Sequence, residues 1–158
     1  MAVEAKGIGE EVSYTGGCQC GAVRYEIAAN ALSGYACHCR ECQKQSASAF
    51  GISVPVFRNA LTIEGELREW TRTTDSGNTT SCYFCPKCGT RVFHAGSNRP
   101  GLVTIKGGSL DDIAAIPLTA HIWTKRRLDW VELPDDLPQF ETQPQTQEDW
   151  LSMLGWTQ

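Results

Sequence analysis

The chain has 158 residues, 41% of them hydrophobic and 20% charged, which is the composition of one soluble globular domain with its own core. A net charge of -4, with Lys125-Arg126-Arg127 as the basic run, argues against the concentrated positive surface that nucleic acids require. No segment approaches the roughly 20 apolar residues of a membrane-spanning helix, and residues 1–10 lack the apolar run of a secretory leader, so a cytoplasmic protein off the membrane is expected.

In chain order, Gly16-Gly17 reads as a turn, followed by a half-buried strand predicted at 22–27. One or two turns of helix are expected over 40–45, directly on a cluster of cysteines. Strands follow at 50–56, 67–72, 90–94, 102–105 and 118–123, where apolar residues alternate with polar ones and β-branched or aromatic types recur. Between them, 75–78, 96–100 and Gly107-Gly108 carry the Gly, Asn, Asp and Pro that turns demand. After Leu133 the composition turns to Pro, Asp and Gln, which sets the domain at 13–137 and a C-terminal tail at 138–158. Within that tail a short helix over 148–154 would dock Trp150, Leu151 and Leu154 on the core or on a partner. The fold class expected is mostly β, a single domain of short strands.

The eight cysteines, Cys18, Cys20, Cys37, Cys39, Cys42, Cys82, Cys85 and Cys88, all precede the last seventy residues. Separations of two and three residues in a reducing compartment point to metal rather than to disulfides, and zinc is the metal expected. Cys18-Gln19-Cys20-Gly21 and Cys85-Pro86-Lys87-Cys88-Gly89 each pair two sulfurs with a following glycine, the form of a zinc knuckle. Two knuckles close one structural site. Cys37, Cys39 and Cys42 then converge on one tight turn and leave a fourth position open, as in a catalytic zinc. Counting also permits two closed sites, Cys18, Cys20, Cys37 and Cys39 in one and Cys42, Cys82, Cys85 and Cys88 in the other.

TGGCQCGAVR at 15–24, CHCRECQK at 37–44, FCPKCGT at 84–90, IKGGSLDD at 105–112, HIWTK at 121–125 and WVELPDDLP at 130–138 resemble the glutathione-dependent formaldehyde-activating enzyme family, shared with centromere protein V. The resemblance implies a fold like that of a small zinc-binding Rab exchange factor, stabilised by two zincs per chain. It assigns Cys18, Cys20, Cys85 and Cys88 to the structural ion and Cys37, Cys39 and Cys42 to the catalytic one. Its implied activity is that of a carbon–sulfur lyase or synthase on glutathione adducts, resembling S-(hydroxymethyl)glutathione synthase, with glutathione and formaldehyde or a related small electrophile as partners. Two departures stand out: Ser46-Ala47 occupies the place where the family usually carries a glycine, and Cys82 is not a family ligand.

Three thiolates leave zinc with a net charge of -1, a setting better suited to holding an incoming thiol as thiolate than to activating water. Of the remaining polar residues, His38 is a candidate proton carrier inside the cluster, while His94 and His121 alternate with apolar neighbours and read as structural. Lys44, Arg91 and Arg126 are candidates for glutathione carboxylates, and Trp70, Trp123 and Trp130 read as core, with at most one lining the pocket. A different function class, a non-catalytic zinc module for a protein or nucleic-acid partner, is the alternative, as is a family enzyme acting on another thiol adduct.

Overall fold

The computed structural model describes residues 11–156. Residues 1–10, on which the expectation of no leader rests, and residues 157–158 of the expected tail lie outside the described residues.

The elements run β1 (Val12–Gly17), β2 (Arg24–Ala29), β3 (Gly34–Cys37), α1 (Arg40–Ser46), β4 (Gly51–Phe57), β5 (Leu61–Glu64), β6 (Arg68–Thr73), β7 (Thr79–Phe84), β8 (Arg91–Gly96), β9 (Leu102–Lys106), β10 (Leu118–Ile122) and α2 (Gln147–Leu154). All six expected strands are present with shifted bounds, and β1, β3, β5 and β7 are additional. Strand β3 is buried at all four positions and so shows no alternation to read. Gly16 and Gly17, expected to turn, instead finish β1 opposite Tyr25 and Arg24. Glycine serves close approach there, since a Cβ on Gly16 would lie 2.3 Å from the Tyr25 hydroxyl oxygen.

Two sheets result, one of three strands in the order β1-β2-β5 and one of seven in the order β10-β3-β4-β9-β8-β7-β6. The pairings are antiparallel except for the parallel pair β10–β3. Register places Val54, Ile105, Phe93 and Tyr83 in one row across β4, β9, β8 and β7. This row joins Tyr25, Ile27 and Leu61 of the smaller sheet in the main core. The adjacent row, Pro55, Thr104, His94 and Cys82, points to the opposite face.

A second apolar cluster covers the β10 end of the larger sheet, where Met153 and Leu154 of α2 are buried with Tyr35 and Ile122. The chain before α2 is laid along β10: the amide of His121 donates to Pro138 and that of Phe140 to His121, each at 2.9 Å. Trp70 and Trp130, expected in the core, are instead 49% and 74% exposed. Trp70 lies on the edge strand β6, where no further strand covers it. No helix among the described residues is long and apolar enough to cross a membrane.

Helix α1 ends in a left-handed cap at Ala47, with φ 50° and ψ 40°, its amide bonded back to the carbonyls of Gln43 and Lys44. A Cβ is disfavoured in that conformation and glycine is free of the penalty, which gives a physical reason for glycine at this point of the motif. Substituting Ala47→Gly is expected to stabilise the protein by about 1 kcal/mol, read as a raised urea midpoint at unchanged slope.

Candidate functional site

The thiols gather into a group of four and a group of three. Within each group, the Sγ atoms of Cys18, Cys20, Cys85 and Cys88, and those of Cys37, Cys39 and Cys42, lie within 4.8 Å of one another. Cys18 and Cys20 follow β1 of the smaller sheet and Cys85 to Cys88 follow β7 of the larger, so the group of four joins the two sheets. Gly21 and Gly89 both take positive φ, 80° and 76°, to turn each knuckle back. The Val23 amide then donates to Cys18 Sγ at 3.2 Å, and the Thr90 hydroxyl lies 3.2 Å from Cys88 Sγ. The Thr90 hydroxyl and neighbouring amides hold the Cys88 thiol down to about 5. Four convergent sulfurs supported in this way fit a closed tetrahedral metal site.

The group of three is built by the turn from β3 into α1. Cys37 ends β3, Cys39 caps α1 with its sulfur accepting from the Cys42 amide at 3.4 Å, and Cys42 lies one turn into the helix. Hydrogen bonds from the Cys37 and Cys42 thiols, then from the Cys42 and Glu41 amides, hold the Cys39 thiol down to about 2. Cys37, as donor to Cys39 and Cys42 and by its burial, is pushed far above the ordinary thiol range. Its bond favours the Cys42 thiolate, yet Cys39 and burial prevail and push Cys42 up to about 11. Three thiols this close keep one negative charge among them until a cation neutralises the others, and as thiolates they fit a divalent metal with one position left over. Cys82, fully buried on β7 between Trp70 and His94, belongs to neither group.

A cleft of about 680 Å³ opens over Cys37, Cys39 and Cys42. Its floor is the outward face of the larger sheet, with Ser53, Pro55, Thr104 and His94. Its walls come from α1, from the β6–β7 turn, from Asn98 and Arg99, from Trp123 and Arg126, and from Trp150 of α2. Trp123 has φ 57°, an uncommon conformation for a bulky residue, directly before the Thr124–Arg126 turn that brings Arg126 to the rim.

Other expected site residues lie elsewhere. His38 is fully buried and its Nε2 lies 3.0 Å from His121 Nδ1, a pair behind the cysteines rather than in the cleft. Burial, then the His121 and Arg127 charges, push His38 down to about 4. Arg91 lies over the rings of Phe84 and Trp70, and of the three cations expected to meet carboxylates only Arg126 lines the cleft. Conversely, His94 reaches the floor with a buried Nδ1 that has no hydrogen-bond partner. Burial, then the charges of Lys106, Arg72 and Arg99, push its pKa down to about 3, so the ring is neutral at pH 7. Arg72 and Arg99 also line the cleft, the former 3.6 Å from the Glu41 carboxylate. Neither arginine carries a local sequence signal: alternation says only which side of β6 Arg72 faces, and Arg99 lies in the turn between β8 and β9, where no periodicity applies.

Residues 13–126 match the family described as glutathione-dependent formaldehyde-activating enzyme. A crystal structure of a Rhodobacter sphaeroides protein is similar in fold, with a TM-score of 0.50 and 22% identity, covering 66% of this chain and 99% of that one.

Because metal must displace protons from two of the three thiols, uptake of a divalent cation by Cys37, Cys39 and Cys42 is expected to release about two protons. Its affinity then rises with pH. Competition titration of the chain with its four-cysteine site already filled, between about pH 6 and pH 8, checks this, and a pH-independent affinity is the contrary result.

Proposed function

The chain belongs to the glutathione-dependent formaldehyde-activating enzyme family, and on that footing we propose that it is a zinc-dependent carbon–sulfur lyase or synthase of glutathione adducts. The reaction is addition of the glutathione thiol to formaldehyde to give S-(hydroxymethyl)glutathione, and its reverse. One observation carries the reading: three convergent thiols open into a cleft whose uncommitted charges complement a zwitterionic thiol. Arg40, Arg99, Arg126 and Asp75 line that cleft and take part in neither ion pair found among the described residues, and of these Arg40 is held by a hydrogen bond it donates to the Gln43 side-chain oxygen. With Arg40 engaged by Gln43, the guanidiniums of Arg99 and Arg126 and the carboxylate of Asp75 answer the two carboxylates and one ammonium of glutathione.

Cys18, Cys20, Cys85 and Cys88 would hold a structural zinc, and Cys37, Cys39 and Cys42 a catalytic one. Those three thiolates would hold it as a Lewis acid, a group that would lower the pKa of an incoming thiol. Arg99 and Arg126 orient the tripeptide through its carboxylates, which turns a bimolecular encounter into an addition between held groups. Sulfur bonds to the carbonyl carbon, the carbonyl π pair moves to oxygen, and the proton lost by the thiol ends on that oxygen. His94, neutral and unpartnered on the floor, offers a hydrogen bond to the developing hydroxyl. Nothing is oxidised.

In this reading residues 13–137 form the zinc-bearing domain, with a fold resembling a small zinc-binding Rab exchange factor, and 138–158 are appended to it. Thiol chemistry at seven clustered cysteines suits the reducing cytoplasm.

Exchange NMR on ¹³C-formaldehyde and glutathione with zinc-loaded protein tests the reading. A rate well above the spontaneous one is expected, with Cys39→Ser returning it to the spontaneous value and His94→Gln lowering it by about tenfold to a hundredfold. A rate that the wild-type protein leaves unchanged removes the activity.

A further inference from the structure

The family match ends at residue 126, yet one wall of the cleft is contributed from beyond it. Helix α2 starts on Thr146, whose hydroxyl accepts from the Asp149 amide at 3.0 Å, and Glu148 and Asp149 in its first turn suit the positive end of the helix. Its far end is pinned by the burial of Met153 and Leu154 and by Ser33, whose hydroxyl donates to the Leu154 carbonyl at 2.8 Å. A helix fixed at both ends holds its middle residue in one place. That residue is Trp150.

Trp150 stands edge-on to Tyr35, with ring centroids 5.5 Å apart and planes at 66°. It also carries Arg99, whose guanidinium carbon lies 4.4 Å from the ring centroid. Arg99 is half-buried and lines the cleft, yet forms no ion pair among the described residues. Glu148 and Asp149, on the same helix as Trp150, are not paired with it. A cation present only for stability would gain from such a carboxylate. An aromatic face instead holds a guanidinium through its π surface and leaves the in-plane N–H groups free for hydrogen bonds.

We propose that Arg99 is a specificity-determining residue that takes a carboxylate of the thiol substrate, and that Trp150, reaching in from the C-terminal helix, is the positioning residue that presents it. The inference rests on the thiol-substrate reading above and deepens it. The C-terminal segment is thereby part of the substrate site.

S-methylglutathione keeps both carboxylates and the ammonium but has its sulfur blocked, so its binding reports the charged subsites apart from the chemistry. Calorimetry on the zinc-loaded full chain with this probe and with its dimethyl ester is the experiment. Wild-type protein is expected to bind the acid at least about tenfold more tightly than the ester, a preference that Arg99→Ala cuts by about threefold to tenfold while Arg126 keeps its own share. Trp150→Ala should weaken acid binding by about threefold to tenfold, while Trp150→Phe, which keeps a π face, stays within about twofold of wild type. Acid and ester bound alike by wild type, or a preference that Arg99→Ala leaves intact, overturns the proposal, and so does a Trp150→Phe variant as impaired as Trp150→Ala. The rate measurement stands apart: binding as expected without catalysis keeps the Arg99 subsite and removes the reaction, whereas catalysis with unaltered binding in Arg99→Ala does the reverse.

Discussion

A β-strand sends successive side chains to opposite faces, and in β4, β9 and β8 one of those faces is committed to the core. Val54, Val56, Val103, Ile105 and Phe93 are all at most 4% exposed, packed with Tyr25, Ile27 and Leu61 of the smaller sheet. Burying such side chains contributes about 1.5–3 kcal/mol each, and a register slip of one residue would turn every one of them outward. The intervening positions are therefore forced to the other side. Ser53, Pro55, Thr104 and His94 form the floor of the cleft because their neighbours cannot leave the core.

The same sheet places the thiols. Cys37 is the last residue of β3, opposite Gly51 of β4, and the chain turns straight into α1 with Cys39 as its cap. Cys39 and Cys42 are thereby brought onto Cys37 by the geometry of one helical turn. Three polarisable groups packed among Tyr35, Ile122, Trp123 and Trp150 sit in an apolar setting in which a second negative charge is costly. The surroundings thus favour a cation at the sulfurs, while the arginines of the rim favour an anion beside them.

Across the molecule, the group of four has a different task. It ties the end of β1 to the turn after β7, elements of different sheets that share no strand pairing. Two of its thiols are buried and two exposed, and each knuckle is bent by its own glycine. A metal there would close a loop of more than sixty residues, which is where a cross-link restricts the unfolded chain most.

Much of this was legible in the residue order. The spacing of the cysteines, the glycines behind the knuckles and the period-2 stretches are local signals, set by the chemistry of a few adjacent residues, and they announced the strands at 22–27, 50–56, 90–94 and 102–105 and the thiol groupings. Strand β3 was hidden because burial on both faces erases alternation. Trp70 and Trp130 looked like core residues because large aromatics usually are, and only the position of each in the fold leaves it exposed. His94 and His121 offer the same local pattern, yet one reaches the cleft and the other pairs with His38. The sequence by itself determined which cysteines lie close enough together to share a metal and where six of the ten strands run. Tertiary structure alone decided that Arg72, Arg99 and His94 converge on the thiols, and that Trp150 from a distant helix completes their surroundings, because such convergence depends on register and packing between segments far apart in the chain.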